Sequence, residues 1–237
     1  MTIKELSLTE EREVILSLRG ATALGYGSSR VTYDLSPNLA ARLGLDPSRD
    51  YVVKLAVGRG GLNQMDLEVG IFKSCGENGC LAIIPASGQF CEIMEKVIVI
   101  YDLECGTYDT YDDFVCCGLN NGYDDEDTND NYSDEQKQEM WRAHEFLNEE
   151  IGYSSDNCQL GITSSGHAVA FDYGFLPDSD DEQMSSSSYC VAQDTGDYYI
   201  GRIAQLIDEA LTEGQEHIEP GFLSDFMGSI DEEMSDY

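Results

Sequence analysis

The sequence predicts an α+β chain in two units, a β-rich one followed by a mostly helical, strongly acidic one. Three observations carry this expectation. β-Branched and alternating runs gather in the first hundred residues, at Arg30–Leu35, Tyr51–Val57 and Phe90–Tyr101. Helical apolar spacing dominates later, in Asp134–Glu150 and Asp197–Leu211. Charge changes between the two: residues 1–96 hold ten Lys or Arg and twelve Asp or Glu, whereas residues 97–237 hold three and 34. A chain adapted to high salt would be acidic throughout its surface. The break therefore points to two units with different tasks, 1–96 and 97–237.

Taken in order, Ser7–Leu18 reads as a short amphipathic helix, begun by Thr9 and Glu10 and carrying a Val14, Ile15, Leu18 stripe. Ala21–Gly25 and Arg30–Leu35 read as strands joined by the turn Gly25–Ser29. Pro37–Leu43 is a small helix closed by Gly44, and Tyr51–Val57 a strand. Arg59-Gly-Gly61 is expected to be a flexible break before a helix over Asn63–Lys73. Leu81–Ile84 and Phe90–Tyr101 are strands. The segment 102–133, acidic and rich in Gly and Asn, is an insert with little regular structure. The Asp134–Glu150 helix precedes a hairpin, Cys158–Ile162 and His167–Phe171, turning on Thr163–Gly166. Pro177–Ser188 is a low-complexity loop, Asp197–Leu211 a helix and Phe222–Ile230 a last short one.

Several function classes fall away at this level. A chain of 237 residues with net charge −33 has no electrostatic basis for binding nucleic acid or anionic membrane directly. No run reaches 18 apolar residues, and the first residues lack the basic start of a signal peptide. A cytoplasmic location follows as the expectation, and reduced thiols are the default for the eight cysteines. Cys75 and Cys80 have a spacing some zinc sites use, but no second Cys/His pair accompanies them.

One ordered set of residues carries chemistry. Gly25-Tyr-Gly27 lies on a strand–turn–strand, where glycines let backbone approach phosphate oxygens closely. Lys54 sits among apolar neighbours on a strand that should be central, so it needs a partner, and Glu68 on the next helix offers one. Asp172 ends the apolar strand Ala168–Phe171 and precedes Tyr173-Gly174. A carboxylate there is well placed for Mg²⁺, with Asn157 as a second oxygen ligand across the hairpin. In this order the residues resemble the protein-kinase fold, especially the small divergent kinase-like proteins of phages and bacteria. The resemblance covers about residues 20–212. It implies a two-lobed structure binding ATP and Mg²⁺, with Gly25, Gly27, Lys54 and Glu68 at the phosphates and Asn157 and Asp172 at the metal. It also implies Ile93 or Met94 at the back of the pocket, and a hinge at Glu95-Lys96 that makes Glu95 part of the nucleotide site.

The match breaks at the catalytic loop. The family places its proton-accepting aspartate five residues before the metal-binding asparagine, and that position is Gly152. Asp156, Glu150 and Glu149 are the nearest substitutes, and each needs an unusual loop. The expectation is a pseudokinase or a weak Ser/Thr kinase whose acidic second unit meets a basic protein partner or substrate. A second reading takes the insert, where carboxylates interleave with Tyr108, Tyr111, Phe114, Tyr123 and Tyr132, as a nucleic-acid mimic that inhibits a DNA- or RNA-binding protein.

Overall fold

A computed structural model describes residues 2–26, 29–100, 108, 110–119, 131–149, 159–173 and 193–235. The chain is a mixed α+β protein with two sheets. The larger has six strands in the order β1-β5-β6-β4-β3-β2. These are β1 (Lys4–Glu5), β2 (Gly25–Tyr26), β3 (Arg30–Asp34), β4 (Tyr51–Ala56), β5 (Ala86–Ser87) and β6 (Cys91–Glu95). Among its described strands, β1–β5 is the one parallel pair. The smaller sheet is the antiparallel set β7 (Val97–Val99), β8 (Gln159–Thr163) and β9 (Ala168–Phe171).

The helices are α1 (Leu8–Ser17), α2 (Pro37–Arg42), α3 (Gly58–Cys75), α4 (Tyr111–Asp113, running into a π-helical turn), α5 (Asp134–Glu149), α6 (Gln193–Thr212) and α7 (Pro220–Ser235). Ser7 and Glu10 close a reciprocal capping box at the start of α1, each side chain taking a backbone N–H of the other. Pro220 begins α7, where the missing N–H costs nothing.

Three expectations need correction. The Arg59-Gly-Gly61 segment is no break; it is the first turn of α3. Glycine is required there by packing, because a Cβ at Gly61 would overlap the Ser29 carbonyl and crowd the Ala56 backbone. The single strand expected over Phe90–Tyr101 is two strands in two sheets, parted at Lys96. There the Lys96 N–H donates to the Asp50 carbonyl at 2.8 Å, and its ammonium reaches Asp34 at 2.5 Å. The Leu81–Ile84 strand shrinks to a bridge between Leu81 and Ala170, and the Ile83 carbonyl accepts from the Glu95 N–H at 2.8 Å, so this segment links the two sheets.

The C-terminal helices return to the six-stranded sheet. α6 packs on α1, where Arg12 pairs with Asp208 and the Gly20 N–H donates to Asp197. α7 packs on α3, where Arg59 donates to the Ser224 carbonyl and its backbone N–H to Asp231. One apolar core runs through all of this, from Val31, Val53 and Ile93 to Leu160, Ala170, Ile203 and Ile230. Among the described residues no helix is long and apolar enough to cross a membrane. Cys75, Cys80, Cys91 and Cys116 are free thiols.

Candidate functional site

Strand register builds the site. Thr32 pairs with Lys54, and Lys54 with Glu92, so the three form one row across β3, β4 and β6. Side chains alternate faces along a strand, which puts Arg30 on the same face one pleat away, opposite Ala56. α3 crosses this face. Its buried stripe is Leu62, Met65, Glu68, Val69 and Phe72, so Glu68 occupies an apolar position and points its carboxylate at the sheet. The end of β9 closes the arrangement from the other side with Asp172 and Tyr173.

Five ionisable groups meet there. Lys54 Nζ lies 3.0 and 3.2 Å from the two Glu68 oxygens, 3.4 Å from Asp172 Oδ1 and 3.7 Å from Glu92 Oε1. Arg30 Nη1 donates to Glu68 and, at 3.0 Å, to Glu92 Oε1, while its Nη2 donates to Asp172. The Tyr173 N–H donates to Glu68 Oε1 at 3.1 Å, and the Tyr173 hydroxyl donates to the Ala82 carbonyl. Arg30, Lys54, Glu68 and Glu92 are buried; Asp172, with 31 % of its side chain exposed, is the way in. Asp172 is also the one described non-glycine residue with positive φ, at 56°. That backbone conformation is uncommon outside glycine and concentrates at functional sites.

The carboxyls divide the charge unequally. Burial alone would push Glu68 up, but Lys54 and Arg30 outweigh it and hold Glu68 at about 2. Glu92 goes the other way: burial, with Glu68 beside it, lifts it well above the usual carboxylate range. Its Oε2 faces no donor, and a proton there converts that oxygen into a donor toward Glu68. Burial pushes the Lys54 ammonium down against the pull of Glu68. The cluster is therefore balanced, two cations against Glu68 and Asp172, with Glu92 neutral.

Lys54, Glu68 and Asp172, read from the sequence as one set, stand together. Gly25 lies on β2, opposite Thr32. The Glu95 side chain does not join them. It alternates onto the opposite face from Glu92 and meets Arg49 at 2.5 Å, at a cleft of about 710 Å³ lined also by Arg142, Thr163 and His167. Gly27, Glu150, Asp156 and Asn157 lie outside the described residues. Two members of the cluster were not foreseen, Arg30 and Glu92. Arg30 had a signal in the sequence: counted from Gly25, it stands where the G-x-G-x-x-G pattern has its third glycine.

Mg²⁺ does not fit the described donor set. Asp172 Oδ1 already accepts from two cations. Among the described residues no three His, Cys, Asp or Glu side chains converge as a metal site. No protein-family model matches the chain, and a search of curated proteins finds no relative. The geometry alone carries the functional argument.

Proposed function

We propose that the protein is a kinase-like nucleotide-binding protein, a pseudokinase or weak Ser/Thr kinase, with ATP phosphates taken up at the Arg30–Lys54 end of the cluster. The observation that carries this reading is the buried Lys54–Glu68 pair, 3.0 Å apart, with Asp172 3.4 Å from the same ammonium at the end of a hairpin. A lysine braced by a helix glutamate and facing a strand-end aspartate is the arrangement kinases use to hold phosphates. The strand order β2-β3-β4-β6-β5 with α3 across it supports the same reading, since the lysine falls on the third strand of the meander.

ATP, when bound, brings the γ-phosphoryl group that could be transferred. The chain's own contribution is positional. Glu68 orients Lys54, Arg30 adds a second donor for phosphate oxygens, and Tyr173 fixes Glu68 through its N–H. The concentration of acid after residue 96 supports a basic protein as partner or acceptor.

The test is calorimetric titration of ATP into the full chain, with Lys54→Ala as control. Saturable binding lost in Lys54→Ala supports the reading; no binding by the native chain overturns it. Transfer of labelled phosphate to a basic acceptor protein then separates a weak kinase from a pseudokinase.

A further inference from the structure

We propose that this site takes its nucleotide without a divalent cation, the Arg30 guanidinium supplying the positive charge that a metal ion would bring. The inference rests on the nucleotide reading above and concerns what accompanies the phosphates.

Among the described residues, the carboxylate oxygens that face the two cations are already engaged. Asp172 Oδ1 accepts from Arg30 and Lys54. Glu68 Oε1 accepts from Lys54 and the Tyr173 N–H, and Glu68 Oε2 from Arg30 and Lys54. Glu92 Oε1 accepts from Arg30 and lies against Lys54. A doubly charged ion on Asp172 Oδ1 would press directly on the guanidinium that holds it, with a second cation alongside.

Arg30 has the properties of a replacement. It occupies the third glycine position, so a long side chain enters from the strand where the pattern otherwise leaves only backbone. A guanidinium keeps its charge at any accessible pH, and its planar fork matches two phosphate oxygens at once. It is anchored on Glu68 and Glu92 through Nη1, while Nη2 points toward the more exposed Asp172. An arriving phosphate exchanges with Asp172 at Nη2, and the anchor on Nη1 stays. Asp172 then acts as a stand-in anion that keeps Arg30 extended until the nucleotide arrives, rather than as a metal ligand.

The experiment is titration of ATP into the full chain in EDTA and then in Mg²⁺, for the native protein, Arg30→Gly and Asp172→Asn. The native affinity should differ by less than about threefold between the two buffers. Arg30→Gly should lose about tenfold or more in EDTA, the scale of one charge-assisted bidentate contact. Asp172→Asn should bind in EDTA at least as tightly as the native chain, because it frees Arg30 and removes an anion beside the phosphates. Native binding that appears only with Mg²⁺, or binding abolished by Asp172→Asn, overturns the inference and returns Asp172 to a metal while leaving the nucleotide reading intact. Absence of binding in both buffers overturns the nucleotide reading itself. Should Arg30→Gly fail to fold, the partly exposed Asp172→Asn decides alone, since the two assignments expect opposite signs from it.

Discussion

The two faces of the six-stranded sheet bury carboxylates in opposite ways. On one, Glu68 sits against Arg30 and Lys54, which keep it charged. On the other, Glu11 of α1 is fully buried and accepts from the backbone N–H groups of Phe90 at 2.6 Å and Cys91 at 3.2 Å, while its Oε2 has no donor. Burial raises Glu11 to about 7, more than those backbone donors can reverse. The same penalty acts on Glu68, yet cations reverse it. Burial alone therefore does not fix a carboxyl's state. The partners decide, and a face that supplies fixed cations is one that can also receive phosphate anions.

The largest effect should come from stripping the cation-rich face of its anchor. Glu68→Ala removes the carboxylate that Arg30 and Lys54 share, and Glu92, freed of the Glu68 charge, replaces it only in part. Breaking a buried pair in this way costs about 3–5 kcal/mol. Urea denaturation should register it, and a loss below about 1 kcal/mol would mean that the cluster is far wetter than its burial implies.

Glu11 supplies the next effect, with a definite sign. Its folded pKa of about 7 lies above the unfolded value of 4.5, so the folded state holds the extra proton. The stability this contributes is complete below pH 4.5 and is lost as pH rises through 7. The window is worth roughly 3 kcal/mol, from about 1.4 kcal/mol per pH unit. Glu11→Gln should lessen the fall in melting temperature between these limits, leaving the part that the raised Glu92 contributes. A native profile that already is flat there would place Glu11 in contact with water.

Gly61→Ala tests the packing that brings the two strands and α3 together. The added methyl meets the Ser29 carbonyl one residue before Arg30, so α3 must shift away from the sheet. Overpacking of this kind costs about 1–3 kcal/mol. Because the shift moves Glu68 relative to Lys54, nucleotide affinity should fall with stability; unchanged affinity would uncouple α3 position from the site.

Some of this was legible in the chain and some was not, for reasons that particular residues show. Lys54 declared itself, because a lysine among Val52, Val53 and Leu55 has no solvent face to occupy. Arg30 and Glu92 did not. Arg30-Val-Thr-Tyr-Asp34 alternates polar and apolar residues, the pattern of a strand with one wet face, and only α3 and the end of β9 make that face dry. Glu11 was hidden in an acidic run, Glu10-Glu-Arg-Glu13, which reads as solvated until the Phe90–Cys91 backbone is brought over it. The split at Lys96 was masked by the continuous apolar stretch Val97–Ile100. In each case the missing information is long-range: register between strands and the identity of the element that covers a face.

The smallest effect sharpens the comparison most locally. Arg12 follows Glu11 on α1 and pairs with Asp208 of α6, on the side of the helix that faces solvent. The Asp208 carboxylate raises the Arg12 guanidinium, and Arg12 lowers Asp208, but both groups are open to water. Exposed pairs of this kind gain little Coulomb energy, lose side-chain freedom and are screened by salt. Arg12→Ala should therefore leave the melting temperature within the scatter of replicate curves at physiological ionic strength, and leave its pH profile untouched. A clear loss, relieved in high salt, would show that the α1–α6 contact depends on charge rather than on the apolar packing of Val14, Ile15, Ile203 and Ile207. Adjacent residues on one helix would then differ only in which partner supplies the charge, not in whether charge matters.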